Sequence, residues 1–131
     1  MARLMQRRHG IKALFVDYLQ VISVHGRDMS KRDKVEAASL RLKQLARELE
    51  IPVVCGAQAK REDGARPNLE SIQHSDQAGQ DADVTMFLHP QADTTWCIVA
   101  KNRDGEKGDV ALRLEGRYVR FVEQEDKSPT F

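Results

Sequence analysis

The apolar positions of the chain change period from one segment to the next, and each period predicts an element. Residues 11–17, Ile-Lys-Ala-Leu-Phe-Val-Asp, form a short β-favouring run that closes on a carboxylate, the pattern of a buried strand with an acid at its carboxyl end. Val35, Ala38, Leu42, Leu45 and Leu49 then repeat at three- and four-residue spacing, which predicts one long amphipathic helix. Ser30-Lys31-Arg32-Asp33 opens it as a capping box, and Pro52 stops it. Val53-Val54-Cys55-Gly56-Ala57 follows at once as a second continuous apolar strand. Strand, helix, strand in that order predicts a crossover unit with a parallel pair.

From Lys60 to Asp83 the chain turns polar, with Gly64, Pro67 and Gly79 and few large apolar residues, as expected of a long mobile loop carrying one short helix. Val84 to Leu88 and Trp96 to Ala100 read as two further buried strands around a polar turn at Pro90. Val110 to Leu114 and Tyr118 to Phe121 alternate apolar and polar residues across Glu115-Gly116-Arg117, which predicts a one-sided antiparallel hairpin. The expected organisation is one α/β domain over residues 1–122, with the long polar loop at 60–83, and a flexible tail over 123–131.

Composition changes this picture only at the margins. With 131 residues, 40% of them hydrophobic, the chain is long enough for one real core. Charged residues reach 31% but leave a formal charge of +1, so any surface for nucleic acid must be local rather than global. No apolar stretch approaches a membrane span or a signal peptide, and the two cysteines, Cys55 and Cys97, sit inside apolar runs as small hydrophobes. The expected location is the cytoplasm, without a disulfide and without a membrane partner.

Several polar residues stand where chemistry is possible. Asp17 closes an apolar strand as the acid of a Walker B element does, orienting a magnesium ion beside a nucleotide; an Asp there also caps turns. Gln58 ends the neighbouring strand, so a side-by-side pair would bring an amide and a carboxylate to one crevice; a solvated glutamine is the plainer reading. Lys101 and Arg103 stand two residues apart after the fourth strand, aimed alike if the extended geometry persists, or solvated in a charged turn. His9, His25, His74 and His89 show no zinc-ligand spacing, and the adjacent His74, Ser75 and Asp76 cannot easily meet as a triad. No glycine-rich loop ending in Lys-Ser or Lys-Thr occurs in these residues, so nothing here cradles a triphosphate.

Taken together these segments resemble the replicative helicases of the DnaB family. Asp17-Tyr18-Leu19-Gln20 matches the family's Walker B signature, followed in family order by the helix from Leu40 to Leu49 and the run Ile51-Pro52-Val53-Val54. Gln58, Arg61, Arg66-Pro67, Gln80-Asp81-Ala82-Asp83, Lys101-Asn102-Arg103 and Gly116-Arg117-Tyr118 follow, so the likeness covers about residues 3 to 122. Among proteins that share this fold, Asp-Tyr-Leu-Gln and Gln-Asp-Ala-Asp favour the helicase over a recombinase.

The resemblance implies the carboxyl-terminal half of a RecA-like ATPase core, without the phosphate loop, of a hexameric motor that uses ATP and Mg2+. Asp17 would orient the metal through water, and Gln58 would couple phosphate state to the DNA-binding loop. Lys101 and Arg103 would reach a neighbouring subunit's triphosphate as arginine-finger cations. Arg61, Arg66, Gln73, His74 and Asp76 would face single-stranded DNA. There the family pattern Leu-Arg-Glu-Ser-Gly is replaced by Ile72-Gln73-His74-Ser75-Asp76, which lowers the expected attraction for phosphate. The implied partners are DNA, helicase subunits and a chain that carries the phosphate loop, and no independent ATPase activity is expected. The alternatives are a non-catalytic module that docks on helicase subunits or single-stranded DNA, and a truncated remnant.

Overall fold

The computed structural model describes residues 1–24, 29–60, 65–74 and 76–124, the side chain of Asp76 excepted. Arg61, Ser75 and all but the start of the expected tail, residues 125–131, lie outside the described residues. The chain divides into two compact units, residues 1–60 with 72–82, and residues 61–71 with 83–131.

The first unit opens with helix α1, Ala2–His9, which ends where Gly10 takes a left-handed conformation at φ 58° and returns its N–H to the Gln6 carbonyl. Strands β1, Leu14–Val16, and β2, Val53–Cys55, pair in parallel with Phe15 opposite Val54. Helix α2, Lys31–Leu49, crosses between them. Its capping box is complete: the Ser30 hydroxyl accepts from the Asp33 N–H, and the Asp33 carboxylate accepts from the Ser30 N–H and hydroxyl. Those bonds hold the Asp33 carboxyl below its usual range, chiefly through the Ser30 hydroxyl. The helix packs against β2, against helix α3, Asp76–Asp81, and against a 3-10 turn at Leu19–Val21. Leu19, Val24, Val35, Ala38, Ile51, Ile72 and Ala78 are the buried apolar residues of this unit.

The second unit is a four-stranded antiparallel sheet in the order β3, Val84–Gln91; β4, Thr94–Asn102; β5, Gly108–Glu115; β6, Arg120–Glu123. Phe87, Trp96, Ile98 and Ala111 bury one face, with Phe87 opposite Ile98 and Trp96 opposite Ala111. Cross-strand partners share a face, and the other carries Met86, Leu88, Leu114 and Phe121, 43% to 60% exposed.

The architecture agrees with the α/β fold expected from the sequence, a parallel pair with a crossover helix followed by antiparallel strands, and five particulars differ. The first two strands are three residues long, and only one face of the pair is covered, since Phe15 is 75% and Val54 51% exposed. β3 is likewise not buried throughout, because Val84, Met86 and Leu88 face outward. Pro90 lies inside β3 and the reversal falls at Ala92, φ 50°. β3 is an edge strand, where a missing N–H costs no ladder bond. Tyr118 and Val119 belong to the last turn rather than to β6, their amides donating to the carbonyls of Glu115 and Gly116. The segment expected as a loop is organised by a 3-10 turn at Leu69–Ser71, a bridge between Ala59 and Ile72, and α3. No helix among the described residues is long and apolar enough to cross a membrane.

Candidate functional site

The parallel pair delivers its two marked residues to the same place. Asp17 is the first residue beyond β1, and Gly56-Ala57-Gln58 continues from β2. The ladder persists past the strands, with Gly56 N–H donating to the Val16 carbonyl at 3.0 Å and Leu19 N–H to the Gly56 carbonyl at 2.8 Å. The Asp17–Tyr18 peptide is cis. A side chain at Gly56 would meet the Tyr18 Cβ at 3.6 Å and an Asp17 carboxylate oxygen at 3.9 Å, so the two strand ends run in close contact. Asp17, Tyr18, Gly56, Ala57 and Gln58 line a cleft of about 430 Å3. It lies at the carboxyl ends of the parallel pair, the side on which open parallel sheets hold ligands. Asp17 and Gln58 are both exposed, in contrast to the buried carboxylate of a closed metal site. Cys55, half-buried at the end of β2, has its thiol pKa pushed up by burial.

Gln58 is also held from behind. The Gln20 side chain accepts from the Gln58 N–H at 3.1 Å and donates to the Gln58 and Gln73 carbonyls, each at 3.2 Å. Gln73 N–H in turn donates to the Gln58 carbonyl at 2.8 Å. One amide thus ties the strand end to the 72–74 segment, where His74 reverses the chain at φ 68°. A second cleft, of about 290 Å3, is walled by Gln20, Ile22, Lys31, Lys34, Gln58, Gln73 and His74. Gln58 therefore borders both clefts. Gln20 stood in the sequence only as the last letter of a signature; its partners lie 38 and 53 residues away, so local pattern could not reveal the clamp.

The other candidates belong to the second unit. Lys101 lies in β4 opposite Thr85, and Arg103 follows the strand directly. Arg103 is anchored twice to Asp83, its N–H on the carbonyl at 2.9 Å and its guanidinium on the carboxylate at 2.7 Å. In the turn beyond it a Cβ at position 105 would come within 2.6 Å of the Asn102 amide nitrogen, so a larger residue there would require that side chain to shift. Arg66 forms a two-pronged ion pair with Asp109, so its guanidinium is already engaged by a carboxylate. The structure thus brings Asp17 together with Gln58, Gln73 with His74, and Lys101 with Arg103. Asp76 opens α3. Among the described residues no group of His, Cys, Asp and Glu is clustered to hold a metal, so Asp17 stands as a single carboxylate in its cleft.

Comparison with known proteins gives consistent matches. The family model of the DnaB-like helicase C terminal domain matches residues 1–123. The replicative DNA helicase DnaB of Treponema pallidum (strain Nichols) is 42% identical over 115 residues, covering 86% of this chain and 26% of that protein. A probable plasmid replicative DNA helicase of Chlamydia psittaci is 36% identical over 95% of this chain and 30% of its own length. A DnaB-like replicative helicase, solved in a study of its interactions with primase, superposes with a TM-score of 0.82 at 29% identity, covering 95% of this chain and 33% of that one. The chain spans about a quarter to a third of the length of these two helicase relatives.

Proposed function

Because the chain belongs to the DnaB-like helicase C-terminal domain family, we propose that it supplies the strand-end acid, the phosphate-responsive amide and the trans-acting cations of an ATP-dependent replicative DNA helicase motor. The observation that carries this reading is the shared cleft of Asp17 and Gln58 at the carboxyl ends of a parallel pair, with Gln58 clamped through Gln20 to the 72–74 segment. On this reading Gln58 has one face toward the nucleotide and one toward the loop.

In this reading Asp17 is the Walker B acid. A lone exposed carboxylate fits an outer, water-mediated hold on Mg2+, an ion that keeps much of its water shell and otherwise takes phosphate oxygens. When bound, the ion would neutralise triphosphate charge; Asp17 would hold it through water, and Gln58 would present an amide to the phosphate side of the cleft. Lys101 and Arg103 act on the triphosphate of a neighbouring subunit, where fixed positive charge stabilises the transition state of phosphoryl transfer. The Asp83 carboxylate holds the Arg103 guanidinium in place, and displacing that partner is the cost of engaging phosphate. In the same reading Arg61, Arg66, Gln73, His74 and Asp76 would each contact DNA.

These 131 residues contain no phosphate loop, so the triphosphate cradle comes from residues outside them. The chain by itself is expected to hydrolyse no ATP. The test mixes it with a separately produced segment carrying the phosphate loop of a relative and follows ATP hydrolysis with and without single-stranded DNA. Activity that appears only in the mixture, and is lost in Asp17→Ala and Arg103→Ala, supports the proposal; hydrolysis by the chain alone overturns it. The exposed apolar face of Met86, Leu88, Leu114 and Phe121 favours a second reading, a module that docks on helicase subunits without catalysis. Co-migration with an intact helicase subunit, with no activity in the mixture, would select it.

A further inference from the structure

Lys31, Arg32 and Lys34 crowd the first turn of α2. Helix dipoles make that end positive, so anions rather than cations are the favoured neighbours there. Asp33 does not relieve the crowding, because its carboxylate is taken up by Ser30 in the capping box. Arg32 turns along the helix to Glu36 at 2.8 Å. Lys31 and Lys34, three residues apart and hence on one face, line the second cleft with Gln73 and His74. Among the described residues no carboxylate pairs with either lysine. Two cations thus stand at an unfavourable helix position and line a cleft shared with three glutamines, His74 and Ile22.

We propose that this cleft seats one phosphodiester of single-stranded DNA, with Lys31 and Lys34 providing the positive charge that Gln73 does not. The proposal rests on the reading of the 60–83 region as a DNA loop and adds a second element, α2, to the contact. Phosphate rather than base is the fitting occupant. Apart from the His74 imidazole the lining holds no aromatic ring on which a base would stack, and about 290 Å3 lies at the low end of pockets that enclose small organic ligands, roughly 300 Å3 and above. The free amides of Gln58 and Gln73 have N–H donors suited to phosphate oxygens, while that of Gln20 is committed to backbone carbonyls. The helix terminus itself is not the seat, since its Asp33 N–H is already satisfied by Ser30. An arginine of the usual loop pattern is thereby replaced by lysines from a different element, and Gln58 borders both the phosphodiester and the Asp17 cleft.

The test is fluorescence anisotropy of a labelled oligothymidylate with the full chain across a salt series. Each phosphate contact on a single strand adds about 0.7 to the slope of log affinity against log salt. Lys31→Gln with Lys34→Gln removes the charge on that one phosphodiester and is expected to lower the slope by about 0.7 and to weaken binding roughly tenfold at low salt. Lys31→Arg with Lys34→Arg restores both, and Arg41→Gln, further along the same helix, changes neither. Circular dichroism confirms that α2 persists in each variant. Binding by the parent with an unchanged slope in the neutral pair overturns this inference while leaving the DNA-loop reading intact. Failure of the charge-retaining pair to restore binding also overturns it, and a parent that does not bind overturns both.

Discussion

Replacing Gln20 by alanine removes three hydrogen bonds in one step and so tests the clamp directly. The bonds lost are the one from Gln58 N–H and those to the Gln58 and Gln73 carbonyls. A typical net bond contributes about 1 kcal/mol, and a group that regains water on release costs less than a buried orphan. Two of these bonds are exposed and one is part-buried, while the Gln58 carbonyl keeps its bond from Gln73 N–H. The expected loss is therefore roughly 1–2 kcal/mol of local opening free energy, well under three full bonds. Since about 1.4 kcal/mol is tenfold in an equilibrium, amide exchange at Gln58 and Gln73 should quicken by about 5- to 30-fold. The Ile98 amide, in the middle strands of the other unit, should not change. Gln20→Glu separates the two arms: its carboxylate still accepts from Gln58 N–H but cannot donate to the two carbonyls. Its exchange rates should lie between parent and alanine at neutral pH and approach the parent as the carboxyl is protonated and regains a donor. Unchanged exchange at Gln58 in the alanine variant, or equal acceleration at Ile98, would refute the argument that this amide specifically ties strand end to loop.

Ile98 is completely buried on the inner face of the sheet, so Ile98→Ala should cost about 2–5 kcal/mol, read as a lower urea midpoint at unchanged slope. Ser30→Ala removes the cap of α2 and should cost about 1 kcal/mol in thermal melts at neutral pH. Because Asp33 has a depressed pKa in the folded chain, chiefly through Ser30, its contribution is complete above the usual aspartate range and is lost as pH falls through the lower folded value; the gap between parent and Ser30→Ala should shrink in acid. Val119 is a β-branched residue at φ 49° in the exposed last turn, so Val119→Gly should raise stability by about 0.5–1 kcal/mol, and a lower melting temperature would show that the turn is not strained there.

What the sequence determined by itself was whatever depends on neighbours in the chain. The three- and four-residue spacing from Val35 to Leu49, the Ser30 to Asp33 capping box and the apolar runs ending at Asp17 and before Gln58 are local signals, and the elements they predict are present. The parallel pairing followed from the length of the crossover, and the meeting of Asp17 with Gln58 followed from the pairing. The turn was misplaced to Pro90 because proline breaks a strand only if its N–H is needed, and edge position is a property of the sheet, not of the residue. The same holds for burial: Phe15, Val54 and Met86 read as core by composition, but which face of a strand is covered depends on a second layer that local pattern does not specify. Above all, the Gln20 clamp and the cleft shared by Lys31, Lys34, Gln73 and His74 join residues dozens of positions apart. Periodicity sets which way a side chain points from its own element; only the packing of α2, β2 and the 72–74 segment decides what it meets there.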